Sequence, residues 1–152
     1  MSDQFPSTLR DLQEAITARL SSCSALAGIQ VFDRRKADLE TLIEEQLSGV
    51  GVTLFVAPVQ LKNISPDVPA ISSDDADFVV AIYENPPTND TGRDAAALKE
   101  IVMRRLHQWQ PGVEGVGVVT IDPNPEDDRS TKKKVIYDLT FRVSVTLEQG
   151  ID

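Results

Sequence analysis

Residues 135–147 alternate without a break: Val135, Tyr137, Leu139, Phe141, Val143, Val145 and Leu147 are apolar, and Ile136, Asp138, Thr140, Arg142, Ser144 and Thr146 between them are mostly polar. Successive side chains of a strand point to opposite faces, so this pattern fits a half-buried strand and no helix. Its thirteen residues reach roughly 43 Å at about 3.3 Å each, far beyond the usual strand of about five or six. A chain that contains such a strand has to build a sheet around it. A strand this long is also expected to project past its own domain and to offer a neighbour an unpaired edge.

The remaining periodicities surround that strand with helices. Leu9, Leu12, Ile16, Leu20 and Cys23 recur at three- and four-residue intervals, so residues 8–23 read as an amphipathic helix, opened by a Thr8/Asp11 capping box and stopped at Ala27-Gly28. Ile29, Val31 and Phe32 read as a short strand. Asp38 is placed to cap a second helix, with Leu39, Leu42, Ile43 and Leu47 on its apolar face and Gly49 at its end. Residues 50–61 are β-branched and aromatic, with Pro58 marking a bulge or an edge. Residues 62–76 read as connection, and residues 78–83 as a strand covered on both faces. Thr91 and Asp94 open what reads as the longest helix, with Leu98, Ile101, Val102, Leu106 and Trp109 on its buried stripe and Pro111-Gly112 at its end. Residues 116–121 form a further strand. Residues 122–134 lack apolar side chains outside their prolines and read as an exposed arm.

This order predicts an α+β fold: a single domain over residues 1–152, with a mixed or mostly antiparallel β-sheet packed against three helices. Residues 1–7 and 148–152 are expected as tails. At 152 residues one core suffices, since about 70% of the unfolded surface can be buried at this size.

Charge and residue counts then exclude several functions. With 24 acidic and 15 basic side chains the formal net charge is −9, which argues against a free module gripping phosphate backbones. Cys23 alone permits no intrachain disulfide, and with His107 it cannot supply a four-ligand zinc site. The N-terminus shows no basic segment followed by an apolar one, and no apolar run approaches about 18 residues. A soluble protein made in a reducing cytoplasm, with no membrane partner, is expected.

Few residues suggest chemistry. His107, the single imidazole, would have to pair with Cys23 or a serine to build a nucleophilic site; the plainer reading is an exposed helix histidine and a core thiol. Gly112, Gly115 and Gly117 lead into a strand rather than open a helix, so they read as a turn and not a phosphate cradle. Asp122, Asn124, Glu126 and Asp128 alternate as calcium ligands do, yet Asp127 stands where a glycine is needed and Lys133 where a bidentate Glu belongs. Asp74, Asp75 and Asp77 read as a solvated acidic turn. Arg104 and Arg105 suit the negative end of a helix dipole. Glu126, Asp127 and Asp128 followed by Arg129, Lys132, Lys133 and Lys134 make a bipolar arm, either an ordinary soluble loop or a head-to-tail contact between copies. No cofactor is expected.

The sequence Glu84-Asn85-Pro86 after a buried strand, with Asn89 and Thr91-Gly92 before a long helix, Leu106-His107-Gln108-Trp109-Gln110-Pro111 at its end, and the closing Ile136-Tyr137-Asp138-Leu139-Thr140-Phe141, resembles tail terminator and neck proteins of tailed bacteriophages. The likeness runs from about residue 8 to residue 147; the connection at 62–76 is longer and the arm at 122–134 more charged than in that pattern. The resemblance implies a catalytically inactive virion subunit, made in the host cytoplasm, that forms a ring, usually of six. The ring would cap the tail tube and join it to the head connector or a neck protein, while double-stranded DNA passes through without specific binding. Asn85, Pro86, Pro87, Asn89 and Asp90 in one loop, and residues 122–134 in the arm, would then be its assembly elements. The rival expectation is a small acidic ligand-binding or regulatory protein, or a nucleic-acid mimic.

Overall fold

The computed structural model describes residues 4–33 and 38–149. In chain order they form α1 (Thr8–Ser21), a 3-10 turn (Ser24–Leu26), β1 (Val31–Asp33), α2 (Leu39–Gly49), β2 (Val52–Val56), β3 (Ile71–Glu84), α3 (Ala95–Leu106), β4 (Thr120–Asp128) and β5 (Val135–Leu147). The strands make one sheet in the order β1-β2-β3-β5-β4, with β1 parallel to β2 and every other pair antiparallel. This is the expected α+β domain, with a mixed sheet and three helices.

Alternation along β5 places its apolar face in the core. Leu139, Phe141, Val143 and Val145 are buried there, opposite Val80, Phe78, Ala76 and Ser73 of β3. The rings of Phe78 and Phe141 stack with centroids 5.3 Å apart, a geometry worth about 0.5–1.5 kcal/mol beyond the area buried. Leu12, Ile16 and Leu20 of α1 and Leu98, Val102 and Leu106 of α3 close over this face. The crossover between the parallel pair puts α2 on the opposite face, where Ile43 and Leu47 pack with Phe32, Phe55 and Tyr83. The rest of that face, with Asp77, Thr140, Asp138 and Arg142, carries the polar alternation of a solvated sheet surface.

Several expectations are corrected by pairing that a single segment does not reveal. β5 does not overrun its domain. It lies inside the sheet, matched by β3 from Glu84↔Val135 to Ile71↔Leu147, and beyond β4 its other edge is covered where Gly117 N–H donates to Ser144 O and Thr146 N–H to Gly115 O, at 2.9 and 2.8 Å. Accordingly β3 begins at Ile71, seven residues before the apolar run at Phe78, because the polar segment is recruited by the far end of β5. Asp74 and Asp75 sit there in a β-bulge between Ser73 and Ala76, which returns both neighbours to the core face. The expected arm at 122–134 is strand as far as Asp128, and only residues 129–134 connect β4 to β5. An edge strand can carry prolines and carboxylates because one side of it needs no ladder partner. Conversely, Val116 and Val119 make only isolated bridges, to Val145 and Trp109.

Helix limits shift for local reasons. The α1 cap is Ser7, which accepts from Arg10 N–H, rather than Thr8, and the helix ends at Ser21, before Gly28. At 14 residues it is longer than the 12-residue α3, which starts at the capping Asp94 and stops at Leu106, so Trp109 lies beyond it. Asp38 precedes α2 in a left-handed conformation, and its side chain makes no capping bond. The expected tails at 1–7 and 148–152 fall partly outside the described residues.

Gly51 tests the close packing at the β3 end. Its φ is +94°, and an added Cβ would stand 2.5 Å from the backbone nitrogen of Asn89. Gly51→Ala should therefore lose at least about 2 kcal/mol in urea unfolding, whereas Gly49→Ala, inside α2 with nothing within 4 Å, should be neutral or slightly stabilising.

Candidate functional site

The residues implied as assembly elements gather at one end of the sheet, where β3 ends, α3 begins and the β4–β5 connection turns. Glu84, buried at the end of β3, accepts from Ala95 N–H at 3.1 Å and from the Asn89 amide at 2.8 Å. That places a carboxylate at the positive end of the α3 dipole. The Asn89 amide also donates to Arg93 O at 2.9 Å, and its Oδ1 accepts from Thr91 N–H and the Thr91 hydroxyl at 3.0 and 2.7 Å. Asn85 N–H donates to Gly51 O at 2.8 Å, and its amide to Leu47 O and Thr88 Oγ1 at 3.2 and 3.0 Å. Both asparagines are thus spent inside the loop, which is ordered within the single chain. Pro86, Pro87 and Asp90 are the exposed members of the group.

The charged turn is fastened in the same way. Arg129 forks onto Asp138 at 2.7 and 2.9 Å and lies over the Tyr83 ring. The hydrogen bonds it donates to Asp138 and then to the Tyr83 hydroxyl hold its pKa well above the ordinary value. Glu126 pairs with Lys99 at 3.1 Å, and Lys99 sits over the Tyr137 ring at 4.1 Å. Lys134 pairs with Glu44 of α2. Asp128 accepts from Ser130, whose hydroxyl and then backbone N–H lower its pKa. The side chains of Asp127, Lys132 and Lys133 remain exposed, with no ion-pair partner among the described residues.

The other candidates resolve into packing. His107 Nδ1 accepts from Ile121 N–H at 3.0 Å, and Cys23 packs half-buried against the core. A Cβ on Gly115 or Gly117 would meet Thr146 O at 2.4 Å or Ser144 Oγ at 2.2 Å, so these glycines let the chain approach β5. Asp122 is turned to Arg142 at 2.9 Å and to Asn124 N–H at 2.8 Å. Asp77 pairs with Lys62, whose pKa that contact raises, and Asp75 accepts from the Asn63 amide. Among the described residues no cluster of three or more His, Cys, Asp or Glu has metal-binding geometry. Arg104 faces Glu100 at 3.8 Å, one turn before it. Arg105 Nε donates to Arg19 O in the last turn of α1, and Arg19 Nε returns the bond to Arg105 O in α3, at 3.1 and 3.2 Å. This reciprocal cross-helix pair went unread in the sequence, whose only signal was a basic residue in each last turn.

No protein-family model and no curated protein sequence matches the chain. Among solved structures it is similar to a chain from the virion of a native gene transfer agent particle, with a TM-score of 0.64 at 20% identity over 89% of this chain and 94% of that one. It also matches the sheath/tube terminator of an extracellular contractile injection system, PVC, in its extended state, with a TM-score of 0.49 at 13% identity. There it spans 98% of its own length but 60% of the other chain. The first of these likenesses establishes the fold over nearly the full length of both chains.

Two outcomes follow from these hydrogen bonds. Asn89→Ala strips partners from Glu84, Thr91 N–H and Arg93 O, and should cost about 1–3 kcal/mol in urea unfolding of the isolated chain. Asp122 and Asp128 are lowered from 3.8 by Asn124 N–H and by Ser130, respectively. Their contribution is therefore complete above 3.8 and lost as pH falls through the lowered folded values. Carboxyl-carbon NMR titration should find both midpoints below 3.8, and Ser130→Ala should return only that of Asp128 toward it. A midpoint for Asp128 at 3.8 in the unaltered chain would contradict the assignment.

Proposed function

We propose that the chain is a structural virion protein, a tail terminator subunit that acts by assembly and not by catalysis. The observation that carries this reading is the co-extensive fold match to a chain of a virion particle, covering 89% of one chain and 94% of the other. It joins the resemblance to tail terminator and neck proteins carried by residues 84–92, 106–111 and 136–141.

In this reading identical copies meet through different surfaces, and rotation between them closes a ring, of six subunits by analogy with the family resembled. The ring caps the tail tube and joins it to the head connector. The unpaired Lys132 and Lys133 at the hairpin tip meet carboxylates of the adjoining copy, among them Asp127 or Asp90, beside the exposed Pro86 and Pro87. Six copies at −9 each sum formally to about −54, and carboxylates facing the lumen offer passing DNA no cations to displace its counterions. The rival acidic regulator or nucleic-acid mimic gains no support, because the carboxylates Glu44, Asp77, Asp122, Glu126 and Asp138 pair with basic groups of the same chain.

Light scattering over a concentration series, alone and with tail-tube protein, tests the reading; a strict monomer under both conditions would overturn it. Lys132→Glu combined with Lys133→Glu should weaken assembly at least tenfold at low salt, with less difference at high salt. Both positions are exposed and unpaired, so monomer stability should change by less than about 0.5 kcal/mol.

A further inference from the structure

The end of the sheet opposite the hairpin carries a different kind of surface. There the segment before α1, the turn at Glu114-Gly115 and the end of β5 enclose an apolar groove of about 730 Å³, within the range of about 300–1,000 Å³ that holds ligands or side-chain anchors. Phe5, Pro6, Leu9 and Leu147 supply its apolar lining. Phe5 is 64% exposed, and Ile71, the register partner of Leu147, is 45% exposed. The walls are fixed. Arg10 donates to Phe5 O at 2.6 Å, Ser7 caps α1, and Thr146 N–H donates to Gly115 O at 2.8 Å. Two carboxylates, Glu114 and Glu148, border the groove, both exposed and neither with an ion-pair or hydrogen-bond partner among the described residues. Glu44, Asp77, Asp122, Glu126 and Asp138 pair with basic groups of the same chain, whereas the two carboxylates beside this apolar slot keep their charge for a basic partner.

The geometry points to a docking site for a protein segment that carries an apolar anchor residue flanked by lysine or arginine. The anchor removes the Phe5 and Leu147 surface from water, and the flanking cations meet Glu114 and Glu148. Apolar burial supplies the affinity, and the carboxylates select the partner and speed the encounter. This site is independent of the hairpin contacts proposed for the ring.

The test is calorimetric titration of the full chain with synthetic Lys-Arg-Leu-Phe-Arg-Lys, with Lys-Arg-Ser-Ser-Arg-Lys and Glu-Asp-Leu-Phe-Asp-Glu as controls. The first peptide should bind at least tenfold more tightly than either control. Glu114→Lys with Glu148→Lys, both at exposed positions, should abolish that preference without changing thermal unfolding or oligomer mass. Equal binding of all three peptides, or none, overturns the proposal. Binding that emerges only after removal of residues 150–152 assigns the groove to the chain's own terminus, and a drop in oligomer mass on charge reversal assigns it to a second copy; either result overturns it as well.

Discussion

The antiparallel pairing of β3 with β5 is the constraint on which the rest of the molecule depends. It brings residues more than fifty positions apart in sequence into register from one end of the sheet to the other, and stacks Phe78 on Phe141 at its centre. Each of those rings, fully buried, contributes roughly 1.5–3 kcal/mol by transfer from water. The helices α1 and α3 can cover the apolar face only because that face is continuous across both strands. The bulge at Asp74 and Asp75 and the glycines at 115 and 117 serve the same pairing: one keeps polar residues from inverting the face, the others let a neighbouring segment lie against β5.

What could be read in the sequence was whatever a segment decides for itself. The alternation of residues 135–147 declared a strand, and the stripes Leu12-Ile16-Leu20 and Leu98-Val102-Leu106 declared helices; all of these form the core. Illegible were the features that a partner decides. Residues 71–77 have almost no apolar character of their own and become strand because β5 extends past Val143 and must be paired. Residues 122–128 are strand because an edge tolerates Pro123, Pro125 and a row of acids. Strand length misled for the same reason: thirteen residues suggested an overhang, when the second long strand was hidden in a polar segment.

The same distinction governs the candidate site. The sequence shows seven charges in close succession from Glu126 to Lys134, but not that Lys99, Asp138 and Glu44 stand within reach of three of them. Folding pairs those three, turns Asp128 onto Ser130, and leaves Asp127, Lys132 and Lys133 as the charges with outward reach. Asn85 and Asn89 likewise turn from surface polar groups into the internal ties of a loop. The apolar groove lay unread because Phe5 belongs to a stretch with no periodicity, and its partner Leu147 ends a strand otherwise accounted for.

Closure of the sheet edges also limits how copies can meet. An association that continued the sheet would need an open, regular edge. β1 offers three residues, all buried, and β4 is broken between Ile121 and Glu126 by an irregular stretch containing Pro123 and Pro125, two residues without an N–H to donate. Backbone ladders between copies are therefore disfavoured on both sides. Side-chain contacts remain: a charged tip at the β3–α3 end and an apolar, acid-bordered groove at the other. These two surfaces lie at opposite ends of the sheet and differ in kind. The charged tip suits a contact that weakens as salt rises, and the groove one in which apolar burial supplies the affinity and the bordering carboxylates select for basic side chains.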